Sequence, residues 1–196
     1  FATLFKNVFN YALLAFYWDI WEDPETFGEQ ERMEESMAFC KSNGITMKGH
    51  CLIWNHPAGK PDWLEFDTLS KEEKLNAFQS HVKDTVSTYD EIEYWDVINE
   101  ISHRPFPELD SAQLCHDLFT WAGEANPDAH LIYNDYAMVG HDFGSGPTHD
   151  LLSQLNEMGT PYDVIGMQDH AFETDWVPSW ETWATLEGYE GLGKAI

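Results

Sequence analysis

"EYWDVINEISH", residues 93–103, runs as a β-prone apolar segment and then ends on Asn99-Glu100. Most glutamates at strand ends are solvated termini. A carboxylate there can also be a catalytic acid, because α/β active sites are built at the C-terminal ends of parallel strands. In a straight strand, alternation sends Asn99 and Glu100 to opposite sides. Both can serve one pocket only if the strand bends or bulges at its end, as strands beside active sites often do. The flanking segments decide which reading holds.

On both sides, strand-like and helix-like segments alternate. Residues 1–10, "FATLFKNVFN", have Phe1, Leu4, Phe5, Val8 and Phe9 at helical spacing. "NYALLAFYW" (10–18) is an apolar run ending in aromatics. A helix is expected over 29–44, with Met33, Met37 and Cys40 on one face and Asn43-Gly44 as its stop. "ITMKGHCLIW" (45–54) is the next strand. The helix over 70–89 opens with Ser70 and Glu73 at capping-box spacing and buries Leu75, Phe78, Val82 and Val86. Beyond 93–99 come a helix around 111–125 stopped by Asn126-Pro127, the strand 130–135, a helix around 148–158 and the strand 162–168. The remainder reads as Trp- and Gly-rich loop.

Five strands with helices between them imply parallel pairing and right-handed crossovers. Such a chain is either an open doubly wound sheet or part of a (β/α)8 barrel. No strand is followed by the glycine fingerprint of dinucleotide folds; "GSGPTHD" follows no strand directly and has the wrong spacing. Polar residues gather instead at strand C-termini: His50, Asn99 and Glu100, Asn134 and Asp135, Gln168 and His170. That is the active face of a barrel. Five strands cannot close one, and a full barrel needs about 250 residues. The expectation is therefore an α/β chain, an incomplete (β/α)8 TIM barrel holding about strands two to six, with residues 1–196 forming one partial catalytic domain cut at both ends.

Composition narrows the ligand. The formal net charge of −25, from 10 basic against 35 acidic residues, disfavours nucleic acid and anionic membrane as partners. Nine Trp and eight Tyr supply flat apolar faces with polar tips, which suit sugars, although half of them or more are expected to fill the core. Three widely spaced cysteines make neither a disulfide framework nor a zinc ribbon. No stretch approaches the roughly 18 apolar residues of a membrane span. Lone histidines scatter through the chain without an H-x-H or H-E-x-x-H pair, so no metal and no cofactor are expected. An amide beside a carboxylate fits glycoside hydrolysis: the acid protonates the leaving oxygen, and the amide strengthens its bond to a sugar hydroxyl as the oxocarbenium-like transition state forms.

Four motifs sharpen this. "KGHCLIWNHPAGKPDWL" (48–64), "YWDVINE" (94–100), "LIYNDY" (131–136) and "DVIGMQDH" (163–170) together resemble glycoside hydrolase family 10, the retaining endo-β-1,4-xylanases on (β/α)8 barrels. Their order matches strands three to six of that barrel, with residues 10–18 in the place of strand two. The resemblance implies that Glu100 is the general acid/base and Asn99 its sugar-binding neighbour. It implies that His50 and Trp54 line the subsite of the sugar being cleaved. Gln168 and His170 would flank the nucleophile, with His170 orienting it, and Tyr136 would lie on the cleft wall. Xylan is the implied partner, and a secreted monomer is expected.

Two departures stand out. The family usually carries Glu-Asn and a Lys on strand two, where this chain has "ALLAFYW" (12–18), so Tyr17 and Trp18 are expected to replace polar contacts with stacking. A retaining glycosidase also needs a second carboxylate about 5–5.5 Å from the first. After His170 the chain offers Glu173, Glu181, Glu187 and Glu190, all in loop-like or helical context, so the nucleophile is expected beyond the C-terminus of this chain. Two other classes compete. A degenerate barrel would hold polysaccharide on its aromatics without cutting it. A metal-dependent hydrolase would lose activity to a chelator.

Overall fold

Five apolar segments pair in parallel, in chain order, as one sheet: β1 (Tyr11–Ala15), β2 (Thr46–Trp54), β3 (Tyr94–Asn99), β4 (His130–Asp135) and β5 (Val164–Met167). The computed structural model describes residues 2–22, 29–140, 146–168, 170 and 176–196. Between the strands lie α3 (Glu29–Ser42), α4 (Lys71–Thr88), α5 (Ser111–Ala125) and α6 (Pro147–Glu157); α1 (Ala2–Val8), α2 (Trp18–Trp21) and α7 (Ser179–Glu190) complete the chain. β3 and β4 are buried on both faces for almost their whole length, as a parallel sheet under helices requires. β1 instead alternates exposed and buried, and Tyr11 and Leu13 on its open face reach solvent. At the other edge, Ala195 bridges Val164 in parallel and so occupies the position beside β5.

The helices start where their sequences say they should. At α4 the Ser70 hydroxyl accepts from Glu73 N–H at 3.3 Å, while the Glu73 carboxylate accepts from Ser70 N–H at 2.8 Å. At α5 Asp110 accepts from Gln113 N–H at 2.9 Å. Caps of this kind stabilise a helix by about 1 kcal/mol each. Behind the sheet, Phe16, Phe78, Trp95, Phe119 and Tyr162 are fully buried. Trp95 lies flat against β2, where a Cβ added at Gly49 would overlap its ring. Only glycine lets the two meet.

Three expectations change. The strand expected over 10–18 stops at Ala15, and the chain turns at Phe16-Tyr17 into the short helix α2. The supposed Trp- and Gly-rich loop contains α7, whose inward side is Thr185 and Tyr189, while Trp180 and Trp183 face solvent. In α1 only Phe5 packs on the core; Leu4, Val8 and Phe9 are exposed, and Phe1 lies outside the described residues.

The turn into α2 is locked to the sheet. Trp18 is buried, stacks on His81 at 4.2 Å, and donates its indole N–H to Glu22 at 2.7 Å. His81 Nδ1 lies 2.6 Å from the same carboxylate, and its Nε2 lies 3.1 Å from the Leu52 carbonyl of β2. Burial alone would raise the Glu22 carboxyl, but the hydrogen bond and charge of His81, with the Trp18 and Thr85 donors, hold it below its ordinary value of 4.5. A carboxyl depressed on folding stabilises the native state above its unfolded pKa and forfeits that contribution as pH falls through the folded one. We therefore expect the stability gap between wild type and Glu22→Gln to be widest near neutrality and to close as the pH is lowered below about 4.5. Urea unfolding at a series of pH values reads this directly; parallel stability curves would show that Glu22 contributes no such linkage.

Candidate active site

The C-terminal ends of β2, β3 and β4 are level, with Trp54 opposite Asn99 and Asn99 opposite Asn134. One residue further on, Glu100 takes a left-handed backbone with φ of 60°, and its N–H donates to the Asn134 carbonyl at 2.8 Å. For a residue with a Cβ this conformation costs on the order of 1–2 kcal/mol. Its consequence is the bend that the sequence required: Asn99 and Glu100 now face the same place. Gln168, just past β5, demonstrates it, because its Nε2 donates to Asn99 Oδ1 at 2.9 Å and reaches Glu100 Oε1 at 3.3 Å.

Glu100 is 8% exposed, and its two oxygens differ. Oε2 accepts the Trp54 indole N–H at 2.7 Å and faces Arg104 Nε at 3.1 Å. Among the described residues, Oε1 has only the long contact from Gln168. A proton on this carboxyl therefore belongs on Oε1, the oxygen not already filled by strong donors. Asn99 Oδ1 accepts from both Asn134 Nδ2 (2.8 Å) and Gln168 Nε2. These two donors orient the amide so that its own NH2 points away from them and can serve a ligand. Gly166 makes room for this ladder, since a Cβ there would sit 2.6 Å from Asn134 Oδ1. His170 is exposed and its Nε2 lies 2.9 Å from Gln168 Oε1.

His50, near the end of β2, meets the buried Asp96 carboxylate through Nδ1 at 2.7 Å, and Lys48 Nζ binds the same oxygen at 2.8 Å. Donation from Nδ1–H fixes the tautomer and leaves Nε2 for a ligand. Trp54 stacks on His56 at 4.0 Å, and the ring of Tyr17 stands edge-on to His50 at 5.6 Å and tilted to Trp54 at 5.8 Å. Tyr136 is held at its backbone by Asp135 and its ring lies 4.3 Å from that of His103. Thus Glu100, Asn99, Trp54, Gln168 and His170 form one hydrogen-bonded cluster. His50 and Tyr17 line it, and Tyr136 joins it through the turn after Glu100. Trp18 takes no part, because it is buried against His81. Of the later carboxylates, Glu181, Glu187 and Glu190 lie on α7, and Glu173 is outside the described residues.

Two contributors, Arg104 and Asp96, were not anticipated, and Asp135, expected only as a polar strand end, takes a specific role. Arg104 comes from an irregular turn that no pattern marks. Asp96 had a visible signal, a charge inside an apolar strand. Asp135 holds the turn after Glu100: it accepts from the Ser102 hydroxyl (2.6 Å) and N–H (3.2 Å), from the Tyr133 hydroxyl (2.9 Å), from Tyr136 N–H (2.9 Å) and from His103 Nδ1 (2.8 Å).

A parallel sheet of this order, with a carboxylate-centred polar cluster at its C-terminal face, belongs to the (β/α)8-barrel class. Comparison with known proteins makes the assignment specific. The model of Glycosyl hydrolase family 10 matches residues 18–196, and the chain belongs to that family. Endo-1,4-beta-xylanase B of Thermotoga neapolitana is 34% identical over 148 residues, covering 71% of this chain and 42% of that protein. Beta-1,4-xylanase of Dictyoglomus thermophilum is 30% identical over 164 residues, covering 79% of this chain and 44% of its own length. Native xylanase 10B from Thermotoga maritima superposes with a TM-score of 0.81 at 28% identity, over 98% of this chain and 62% of that one. Xylanase 10B from Thermotoga petrophila, crystallised in complex with xylobiose, gives 0.80 at 27%, over 98% of this chain and 61% of that one. The chain spans less than half the length of these two curated relatives. Among the described residues, no helix is long and apolar enough to cross a membrane.

Proposed function

We propose that this chain carries the acid/base half of a retaining endo-β-1,4-xylanase site, with Glu100 as the proton donor and acceptor. The observation that carries the reading is the left-handed turn at Glu100, which sets a buried carboxylate beside Asn99 with Oε2 anchored and Oε1 available. In the first step Oε1–H protonates the departing glycosidic oxygen; in the second, the carboxylate takes a proton from water. The free NH2 of Asn99 and Nε2 of His50 bind hydroxyls of the sugar being cleaved. Gln168 holds Asn99, and His170 stands at the edge where a nucleophilic carboxylate would be oriented. Tyr136 contributes an aromatic face on the cleft wall.

Retention needs the second carboxylate, and no described glutamate after His170 other than those of α7 is available for it. We place the nucleophile on the next barrel strand, outside these residues; the parallel pairing of Ala195 with Val164 supports that position. The substrate is xylan, the polymer for which the relatives are named, and a polymeric cell-wall substrate implies a secreted protein. The prediction has two arms. The full-length protein releases xylo-oligosaccharides from soluble xylan with the β-anomer formed first, read by proton NMR, and chelator does not change the rate. The 196 residues alone give little or no turnover. Robust cleavage by the 196 residues would remove the need for a carboxylate elsewhere. Binding to insoluble xylan by the full-length protein, with no product, would leave a polysaccharide-binding barrel.

A further inference from the structure

The sugar-facing side of this site has an unusual member at the end of β1. Where the family resemblance leads one to expect a carboxylate, an amide and an ammonium, the chain presents Tyr17 and no charged side chain between Ala12 and Trp18. Stacking by Trp18 is ruled out by its burial against His81. Tyr17 is different. It precedes α2, and the Ile20 and Trp21 N–H groups both donate to its carbonyl, at 3.0 and 2.8 Å, so its backbone is pinned. The adjacent Phe16 N–H donates to the His50 carbonyl at 2.7 Å, which fixes this turn to the end of β2. The half-buried ring is wedged between His50 and Trp54.

We propose that Tyr17 binds the sugar whose bond is broken, donating its phenol hydrogen to a ring hydroxyl of the glycone while its ring closes the wall formed by His50 and Trp54. This rests on the reading of Glu100 given above and assigns the contact that the substituted strand would otherwise leave unmade. The neighbouring donors are already engaged: the Trp54 N–H with Glu100, and His50 Nδ1 with Asp96. Among the described residues the Tyr17 hydroxyl has no protein hydrogen-bond partner. Burial, with the nearby Cys51 and Glu100, pushes this phenol above its ordinary 10, so it stays a donor throughout the range in which a glycosidase works. Being neutral, it discriminates less sharply than a charged group would. Removing the bonded hydroxyl from the substrate should lower kcat/KM by about five- to tenfold, the scale of one neutral hydrogen bond.

The test is a double-mutant cycle on the full-length protein, using aryl β-xylobiosides whose sugar nearest the aryl group is intact, 2-deoxy or 3-deoxy. Tyr17→Phe should lower kcat/KM for the intact substrate about five- to tenfold. It should cost nothing further on one of the two deoxy substrates, because both changes delete the same bond. Tyr17→Ala should lose more, by removing the ring, while the pH profile of kcat/KM keeps its shape. Additive losses on both deoxy substrates, or a Tyr17→Phe protein as active as wild type, would overturn the assignment and leave the acid/base reading standing. A full-length protein that hydrolyses none of these substrates would overturn both.

Discussion

Replacing Glu100 by Gln in the full-length protein is expected to lower turnover of xylan by about a thousandfold or more, within the range attributed to a positioned general acid. The same substitution should slow the first step far less on a xylobioside with a very acidic phenol as leaving group, since that oxygen departs without a proton. The second step, where Glu100 acts as base toward water, should then become limiting, and a burst of phenol should appear before a slow steady state. Gln preserves the contacts that define the residue's position. Its carbonyl can accept from Trp54 and Arg104 as Oε2 does, so the fold and the turn survive. Stopped-flow release of phenol beside steady-state xylan hydrolysis separates the two steps. Equal losses on both substrates would remove Glu100 from the acid role.

This expectation depends on the asymmetry of the carboxyl group. Two good donors on one oxygen and a long amide contact on the other make Glu100 a directed carboxyl, not a solvated one. The direction comes from elements distant in sequence. Trp54 is aligned by the register of β2 on β3, Gln168 by the register of β5 on β4, and Arg104 by the left-handed start of the turn that both residues share. A parallel sheet brings such ends level without any local sequence signal, and a barrel therefore gathers a site from several strand ends.

The strands and most helices were legible because their apolar patterns are strong. β2 to β5 are largely apolar, β-prone runs, and α4 announces its start with Ser70 and Glu73. What escaped did so for identifiable reasons. The run "AFYW" contains no Gly or Pro, so the turn at Phe16-Tyr17 is invisible beside an apolar strand; all four residues look alike, although Phe16 and Trp18 are buried and Ala15 is not. The helix α7 buries Thr185 and Tyr189 and exposes Trp180 and Trp183, which inverts the hydrophobic pattern and reads as loop. The left-handed backbone at Glu100 was required by the logic of the site yet has no signature, because Glu is not a residue that prefers it. Strand-end positions and the family resemblance name Glu100, Asn99, Trp54, Gln168 and His170, which the structure brings into one hydrogen-bonded cluster. The links through Asp96, Arg104 and Asp135 needed coordinates.

Asp135 supplies the second large effect. Its carboxylate is fully buried at the end of β4, and its acceptor sites are taken by Ser102, His103, Tyr133 and Tyr136. Ser102 passes the connection on to Thr148 at the start of α6, at 2.7 Å. The group thus joins β4, α6 and the turn that begins at Glu100. Removing it strands the buried Tyr133 hydroxyl, which has no water to turn to, and releases the part-exposed Ser102, His103 and Tyr136 donors from the turn; leaving a buried donor unsatisfied is more expensive than the bond itself is worth. Asp135→Ala is expected to destabilise the full-length protein by about 2–3 kcal/mol, the upper part of the range for leaving a buried polar group unsatisfied. Asp135→Asn keeps the volume but turns an NH2 toward Ser102 and Tyr133 or toward His103 and Tyr136, so it should recover only part of the loss. Ser102→Ala, which removes one donor and leaves the others satisfied, should cost about 1 kcal/mol. Urea unfolding of the three variants orders them. A Ser102→Ala loss as large as that of Asp135→Ala would mean the hydroxyl, with Thr148, is the true centre of the network. A loss under about 1 kcal/mol at Asp135→Ala would mean the turn after Glu100 is held by packing alone, because a single ordinary hydrogen bond already contributes that much.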